Sequence, residues 1–288
     1  MGSFSILNNI SGLNSQNQLT LNNVNLSRTL MRLSSGKRIN SGADDAAGLQ
    51  IADSLRSNVR ALDQAVRNAN DGIGVAQIAD GALNEIGNLL TRAVTLAEEA
   101  ATATMDSSGR NSLDNEFKQI QAEIARIATQ INFNGTAIFS TVGNSFGGSI
   151  SIFVGDTSGA SSIAVTIGQI TTAGETVTDV SGGVALDTIN LTDTAQATTS
   201  LTQIKAAIDA VAASRASIGS GINRLQSAVA VLQSQSQNTT AAESTIRDAN
   251  IAQEVASLTK YQILAQSGIA SLAQANTSSQ QVLSLLKM

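Results

Sequence analysis

The side chains able to do chemistry are few, and their kinds narrow the field at once. The 288-residue chain has no His and no Cys, which removes imidazole acid–base groups, Ser-His and Cys-His nucleophiles and the usual zinc ligands. Carboxylates, Lys, hydroxyls and a single Tyr remain, so hydrolysis by a pair of carboxylates is the one common reaction left open. The adjacent pair Asp44-Asp45 is better placed to open a helix, where negative charge is stabilised by about 0.3–1 kcal/mol. Asp156, Glu175, Asp179 and Asp187 are the carboxylates of the central stretch, and their spacing makes no site. Arg215 interrupts an apolar stripe and is expected to pair with a carboxylate across a helix bundle or between chains. The expectation is therefore a non-enzyme with no catalytic residues, no cofactor and no metal.

The elements that carry these residues follow from apolar spacing. Steps of three and four, the heptad signal, run through Ile6, Ile10 and Leu13 and resume at Leu26, Leu30 and Leu33. A loop at Ser34 to Gly42 follows. Leu55, Val59, Leu62, Val66, Ala69, Ile73 and Ala76 lead on to Leu83, Leu90 and Val94. This predicts a helix from near Ala43 to near Met105, on the order of 90 Å long at 1.5 Å per residue. Gly72, Gly74 and Gly81 each weaken it by about 1 kcal/mol relative to Ala, so packing must hold it. Asp106 to Gly109 reads as a turn. Phe117, Ile120, Ile124, Ile127 and Ile131 then mark a third helix, ended by Asn134-Gly135, a strong turn signal.

The period next falls to two. Ile150, Ile152 and Val154, then Ile163, Val165 and Ile167, flank Gly155 to Gly159 and predict a β-hairpin, with Gly/Ser/Thr-rich surface strands and loops up to about Asp187. Asp193 with Gln196 three residues on starts the next helix. Its stripe runs from Leu201 through Ile204, Ile208, Val211, Ile218, Ile222, Leu225 and Val229 to Leu232. Gln235 to Thr240 is read as a polar break. A last helix carries Val255, Leu258, Ala265, Ile269 and Leu272, and the chain closes on Val282 to Met288.

The implied fold is mainly α: a long antiparallel helical bundle or coiled coil of N- and C-terminal halves, with a small β-hairpin-containing insert. Residues 1-42 and 244-288 form one predicted domain, 43-139 and 190-243 a second, and 140-189 a short β-rich insert. With aromatics at 2% the core must be Leu, Ile, Val and Ala over long thin contacts, which favours a rod. A net charge of -5 and a pI near 4.8 argue against nucleic acid and anionic membrane as partners. No run approaches the roughly 20 apolar residues of a membrane span. Met1 to Ser27 carries no charge and therefore no signal-peptide n-region, so export would use another route.

Two stretches then resemble a known family. Leu33 to Gly48, reading LSSGKRINSGADDAAG, and Arg67 to Ile73, reading RNANDGI, are similar to the N-terminal signature of the bacterial flagellins. Gln262 to Gln266, Leu272 to Asn276 and Val282 to Leu286 are similar to the flagellin C-terminus. The resemblance covers about the first 140 and last 100 residues. It implies a secreted structural subunit that polymerises into the extracellular flagellar filament after export through the flagellar type III apparatus. A hook–filament junction protein is the alternative. Implied partners are further copies of the chain, junction and cap proteins and an export chaperone.

Under that resemblance the terminal helices form the filament's inner coiled coil inside a helical outer tube. Their apolar stripes are too wide for a two-helix contact to cover, which makes Ile6, Ile10, Leu13, Leu26, Leu30, Leu33, Leu258, Leu264, Ile269, Leu272, Val282, Leu283, Leu285 and Leu286 the expected assembly surface. The segments Ala82 to Leu96 and Ile120 to Ile124 also resemble the stretch sensed by the animal flagellin-recognising Toll-like receptor. Arg92, Leu96 and Glu123 fall on the family's contact positions. Val94 and Thr95 stand where recognised relatives carry Arg then Glu.

Overall fold

The computed structural model describes residues 9–139, 145–155, 162–173, 176–180 and 184–285, without the side chains of 173, 176–179 and 279–285. Five helices are present among these residues: α1 (Ile10–Ser35), α2 (Ala46–Ala100), α3 (Ser107–Gln130), α4 (Thr194–Arg247) and α5 (Ile251–Leu285). Three two-stranded antiparallel hairpins lie between α3 and α4: β1 (Asn132–Phe133) with β2 (Thr136–Ala137), β3 (Ser149–Phe153) with β4 (Ser162–Thr166), and β5 (Ile170–Ala173) with β6 (Thr176–Val180). The chain divides into two compact units, Met1–Ser57 with Asn238–Met288, and Asn58–Gln237. Helices α2 and α4 each contribute to both.

The terminal unit is built on the antiparallel pairing of α1 with α5. Asn9 caps α1 through its side-chain oxygen, which accepts from the Gly12 amide at 2.9 Å, and Gly36 closes the helix in the left-handed region at φ 69°. The loop after Gly36 is stitched to the turn between α4 and α5. Arg38 N donates to Arg247 O at 2.6 Å, Ala249 N donates to Gly36 O at 3.0 Å, and the backbones of Lys37 and Asp248 pair as an isolated antiparallel β-bridge. Ile39 is buried there.

The middle unit holds the main hydrophobic core. On α2 the buried positions from Leu62 through Ala65, Ala69, Gly72, Ala76, Ala79, Leu83, Ile86, Leu90, Ala93 and Ala97 to Ala100 keep alternating steps of three and four. On α4 the buried series Ala197, Ser200, Ile204, Ala207, Val211, Ser214, Ile218, Gly221 and Leu225 does the same. Small residues fill the middle of both seams. Val66, Ile73 and Val94 of the predicted α2 stripe flank the seam and are half-buried. Leu62, Ala69, Ala76, Leu83 and Leu90 of the same predicted stripe lie in the seam itself.

The predicted hairpin is present with Ile150 opposite Val165 and Ile152 opposite Ile163. It lies on two glycine notches. A Cβ at Gly72 would fall 2.6 Å from Ile152 Cγ1, and one at Gly221 would fall 2.8 Å from Val165 Cγ1. The strands are therefore not simply surface: Ile150, Ile152, Val165, Ile167 and Ile170 join the same core cluster as α2, α3 and α4. Return of the chain from the insert is tied down by α3, where the buried Asp114 accepts from Leu191 N at 3.1 Å and the buried Gln121 amide donates to Leu186 O. Asn134-Gly135 does more than end α3. With φ 51° and 78° they form the two-residue turn of the β1–β2 hairpin.

One expectation fails. Gln235 to Thr240 is no break, because α4 continues unbroken to Arg247. The stretch is polar but contains neither Gly nor Pro, so nothing in it opposes helix, and Ser236 Oγ donates to Asp63 Oδ1 on α2 at 2.9 Å.

Candidate assembly surface

The α1–α5 pair has an unusual division of residues. Its seam on α1 follows Gly12, Ser15, Leu19, Asn22, Leu26, Thr29 and Leu33, and on α5 Leu258, Tyr261, Ala265, Gly268, Leu272 and Ala275, all buried or half-buried. Only Gly12, Asn22 and Thr29 of α1 are fully buried. Other large side chains stay outside the seam: Ile10 is 61% exposed, Leu13 59%, Leu30 47%, Leu264 45% and Ile269 59%. Leu21, Val24, Met31, Val255 and Ile263 are exposed with them. Leucines therefore lie on both sides of the pair, and those left exposed are apolar surface of the kind that marks an interaction site.

Of the fourteen residues expected on the assembly surface, five are thus exposed (Ile10, Leu13, Leu30, Leu264 and Ile269), while Leu26, Leu33, Leu258 and Leu272 line the intramolecular seam. Ile6 and Leu286 lie outside the described residues, as do the side chains of Val282, Leu283 and Leu285. The sequence reading missed the seam itself. Its signal was available as the three-four spacing of Gly12, Ser15, Leu19, Asn22, Leu26, Thr29 and Leu33, hidden because half of those residues are not apolar.

Polar groups fix the pair at both ends. Asn22 Nδ2 donates to Tyr261 O at 2.9 Å, and Asn9 Nδ2 donates to Ala275 O at 3.2 Å. Towards the loop, Arg32 lies 3.6 Å from Glu254 and 3.6 Å from Asp44. The Asp44-Asp45 pair is structural, as expected. Asp45 accepts from Gly48 N at 2.9 Å at the start of α2, and Asp44 gathers the Asn40 and Ser41 amides and the Ser41 hydroxyl. Burial alone would push the Asp44 carboxyl up; those hydrogen bonds and the charge of Arg32 outweigh it and hold the group below its ordinary value.

In the middle unit Arg215 pairs with Asp80 on α2, Nε to Oδ1 at 2.8 Å, and also donates to Asn84 at 3.0 Å. The expected partner is therefore a carboxylate within the chain. Arg92 donates twice to Glu116 Oε1, at 3.0 and 2.7 Å, and Glu123 pairs with Arg126 on its own helix. Leu96 is 1% exposed and belongs to the core. Of the three residues that resemble a receptor contact, Arg92 and Glu123 reach the surface of α2 and α3, and Leu96 does not. Among the described residues no helix is long and apolar enough to cross a membrane.

Comparison with known proteins identifies the family. Residues 6–144 match the bacterial flagellin N-terminal helical region, and residues 201–286 match the bacterial flagellin C-terminal helical region. A flagellin of Treponema pallidum is 37% identical over 98% of this chain and 99% of its own length. The flagellar filament 33 kDa core protein of Treponema phagedenis is 37% identical over 94% of this chain and 96% of its own. The flagellin of Bacillus subtilis is 34% identical over 98% and 99%. All three are filament proteins or flagellins by name, and nothing in these matches favours a hook–filament junction protein. The chain belongs to the bacterial flagellin family and is a structural filament subunit, not an enzyme.

Proposed function

We propose that polymerisation proceeds through the outward apolar side of the α1–α5 pair, with Ile10, Leu13, Leu30, Leu264 and Ile269 buried against neighbouring copies. The observation that carries this is that these five large aliphatic side chains stay 45–61% exposed, while the most buried positions of α1 are Gly12, Asn22 and Thr29. Burying each such side chain stabilises by about 1.5–3 kcal/mol. Contacts between one face of a subunit and a different face of the next are heterologous and need not close, which yields a helical polymer. The inner domain is 1-42 with 244-288, the outer tube 43-139 with 190-243, and 140-189 the outward insert.

Export unfolded through the flagellar type III apparatus, with an export chaperone, delivers the subunit to the extracellular filament, where junction and cap proteins bound its ends. Family membership supports this route. Sensing by the animal Toll-like receptor would rest on Arg92 and Glu123. The assembly test is seeded polymerisation of the double variant Leu13→Gln/Ile269→Gln. The expected result is a monomer with wild-type helix content that fails to elongate seeds; filaments of normal length and yield would overturn the assignment of this face.

A further inference from the structure

The seam that holds α1 to α5 mixes leucines with small and polar residues, and its polar contacts are specific. On α5 the seam runs Leu258, Tyr261, Ala265, Gly268, Leu272 and Ala275, and on α1 Gly12, Ser15, Leu19, Asn22, Leu26, Thr29 and Leu33. Both are heptad tracks, so sliding one helix by a turn or two places a seam on a seam again. Aliphatic contact alone does not choose between such alignments.

Three features do choose. A Cβ at Gly268 would lie 3.2 Å from Leu19 Cδ1, so Leu19 occupies a notch that exists at one point only. A turn away in one direction it would face Leu272. Asn22, 9% exposed, donates from Nδ2 to Tyr261 O at 2.9 Å, while its Oδ1 is buried without a hydrogen-bond partner. Asn9 uses its oxygen to cap α1 and its Nδ2 to reach Ala275 O, so the helix end and the helix pairing are fixed by one side chain. A buried amide with an unmatched oxygen is a stability loss that an aliphatic residue would avoid. In coiled coils a single such Asn specifies alignment at a cost in stability.

We propose that Asn22 sets the register of the α1–α5 pair and thereby the positions at which the outward apolar residues are presented to neighbouring copies. The proposal rests on the assembly reading above. A slip of one heptad turn would displace Ile10 and Leu13 relative to Leu264 and Ile269 by about 5 Å along the pair, more than a packed helical lattice accommodates.

The chain has no cysteine, so register can be read directly by introduced pairs. The Leu19 Cβ lies 3.9 Å from where a Cβ at position 268 would stand, within disulfide reach. Leu19→Cys/Gly268→Cys reports the native register, and Leu19→Cys/Leu272→Cys and Leu19→Cys/Ala265→Cys report slips of one turn either way. Each pair is made with Asn22 present and with Asn22→Leu in the full-length chain, oxidised in seeded filaments, and intramolecular bridges are separated from intermolecular ones by denaturing gel.

With Asn22 present, the native pair should close and the slipped pairs stay near background. With Asn22→Leu, closure of a slipped pair should rise about tenfold relative to the native pair, the change expected for losing one net hydrogen bond of preference. The Asn22→Leu chain should also give fewer or irregular filaments. Native-only closure and normal filaments from Asn22→Leu would overturn the proposal. Should Asn22→Leu not assemble at all, the same ratios read in monomer decide it: unchanged ratios there also overturn it. Native-only closure in an Asn22-containing chain that forms no filaments would leave register intact and sink the assembly reading instead.

Discussion

The glycines of α2 provide a test in which one substitution has opposite signs at two sites. Gly72 and Gly81 lie on the same helix, and replacing either by Ala relieves about 1 kcal/mol of helix-interior penalty. At Gly81 a Cβ would meet nothing within 4 Å, so the full gain should appear. At Gly72 it would stand 2.6 Å from Ile152 Cγ1 and closer still to Cδ1, and Ile152 is buried at the β3–β4 hairpin. The hairpin or the helix must give way, and overpacking of a filled core costs about 1–3 kcal/mol. The sum is a stabilisation of about 1 kcal/mol for Gly81→Ala and a loss of up to about 2 kcal/mol for Gly72→Ala. For a unit of this size each kcal/mol moves the melting temperature by about 2–4 °C. Urea and thermal unfolding of depolymerised monomer, followed by circular dichroism, measures both. Ile152→Val should partly rescue Gly72→Ala, because it removes the Cδ1 methyl that the new Cβ would strike. Equal stabilisation by the two Ala substitutions, or no rescue, would refute the docking of the hairpin on this notch.

Other expectations follow from single contacts. Asp114→Ala strands the buried Leu191 amide and should lower the unfolding free energy by about 1–3 kcal/mol, while Asp114→Asn, which keeps an acceptor oxygen, should lose less; urea midpoints decide. Asp44 has a folded pKa below its ordinary 3.8, so its contribution is present above that ordinary value and is lost as pH falls through the lower, folded value. Asp44→Asn should therefore make the terminal unit less stable at neutral pH and less dependent on pH in the acid range, read from helix loss between neutral and strongly acid solution. Arg215→Ala should cost little, about 0–1 kcal/mol, since both partners of its ion pair with Asp80 are about 40% exposed at the side chain; a larger loss in urea unfolding would mean that Asn84 and the stem of Arg215 matter more than the charge.

Much of this was legible in the residues, and the failures share a cause. Large aliphatic side chains at steps of three and four located every helix, and the fall to period two located the β3–β4 hairpin. The seams were harder, because the closest helix contacts are made by Ala, Gly, Ser and Asn. Gly12, Asn22 and Thr29 at the centre of the α1–α5 contact, and the alanines along α2, carry little weight in an apolar pattern. Leu96 fails for a geometric reason. It is four residues from Arg92, but four residues turn the helix about 40° past realignment, and that angle is the difference between the exposed Arg92 and a leucine in the core. The polar run Gln235 to Thr240 misled because loss of apolar period marks loss of burial, not loss of helix. Arg215 and the Asp44-Asp45 pair were read correctly because charge next to an apolar stripe or a helix start has few physical solutions.

The central claim is that the α1–α5 pair turns its aliphatic side chains towards other copies. A reconstruction of the assembled filament by electron cryomicroscopy, at a resolution that shows side chains, tests it most directly. Ile10, Leu13, Leu30, Leu264 and Ile269 should be covered by neighbouring subunits while Asn22 still meets Tyr261 within one chain. A filament in which those five side chains line open solvent, with the subunits joined through other surfaces, would contradict it.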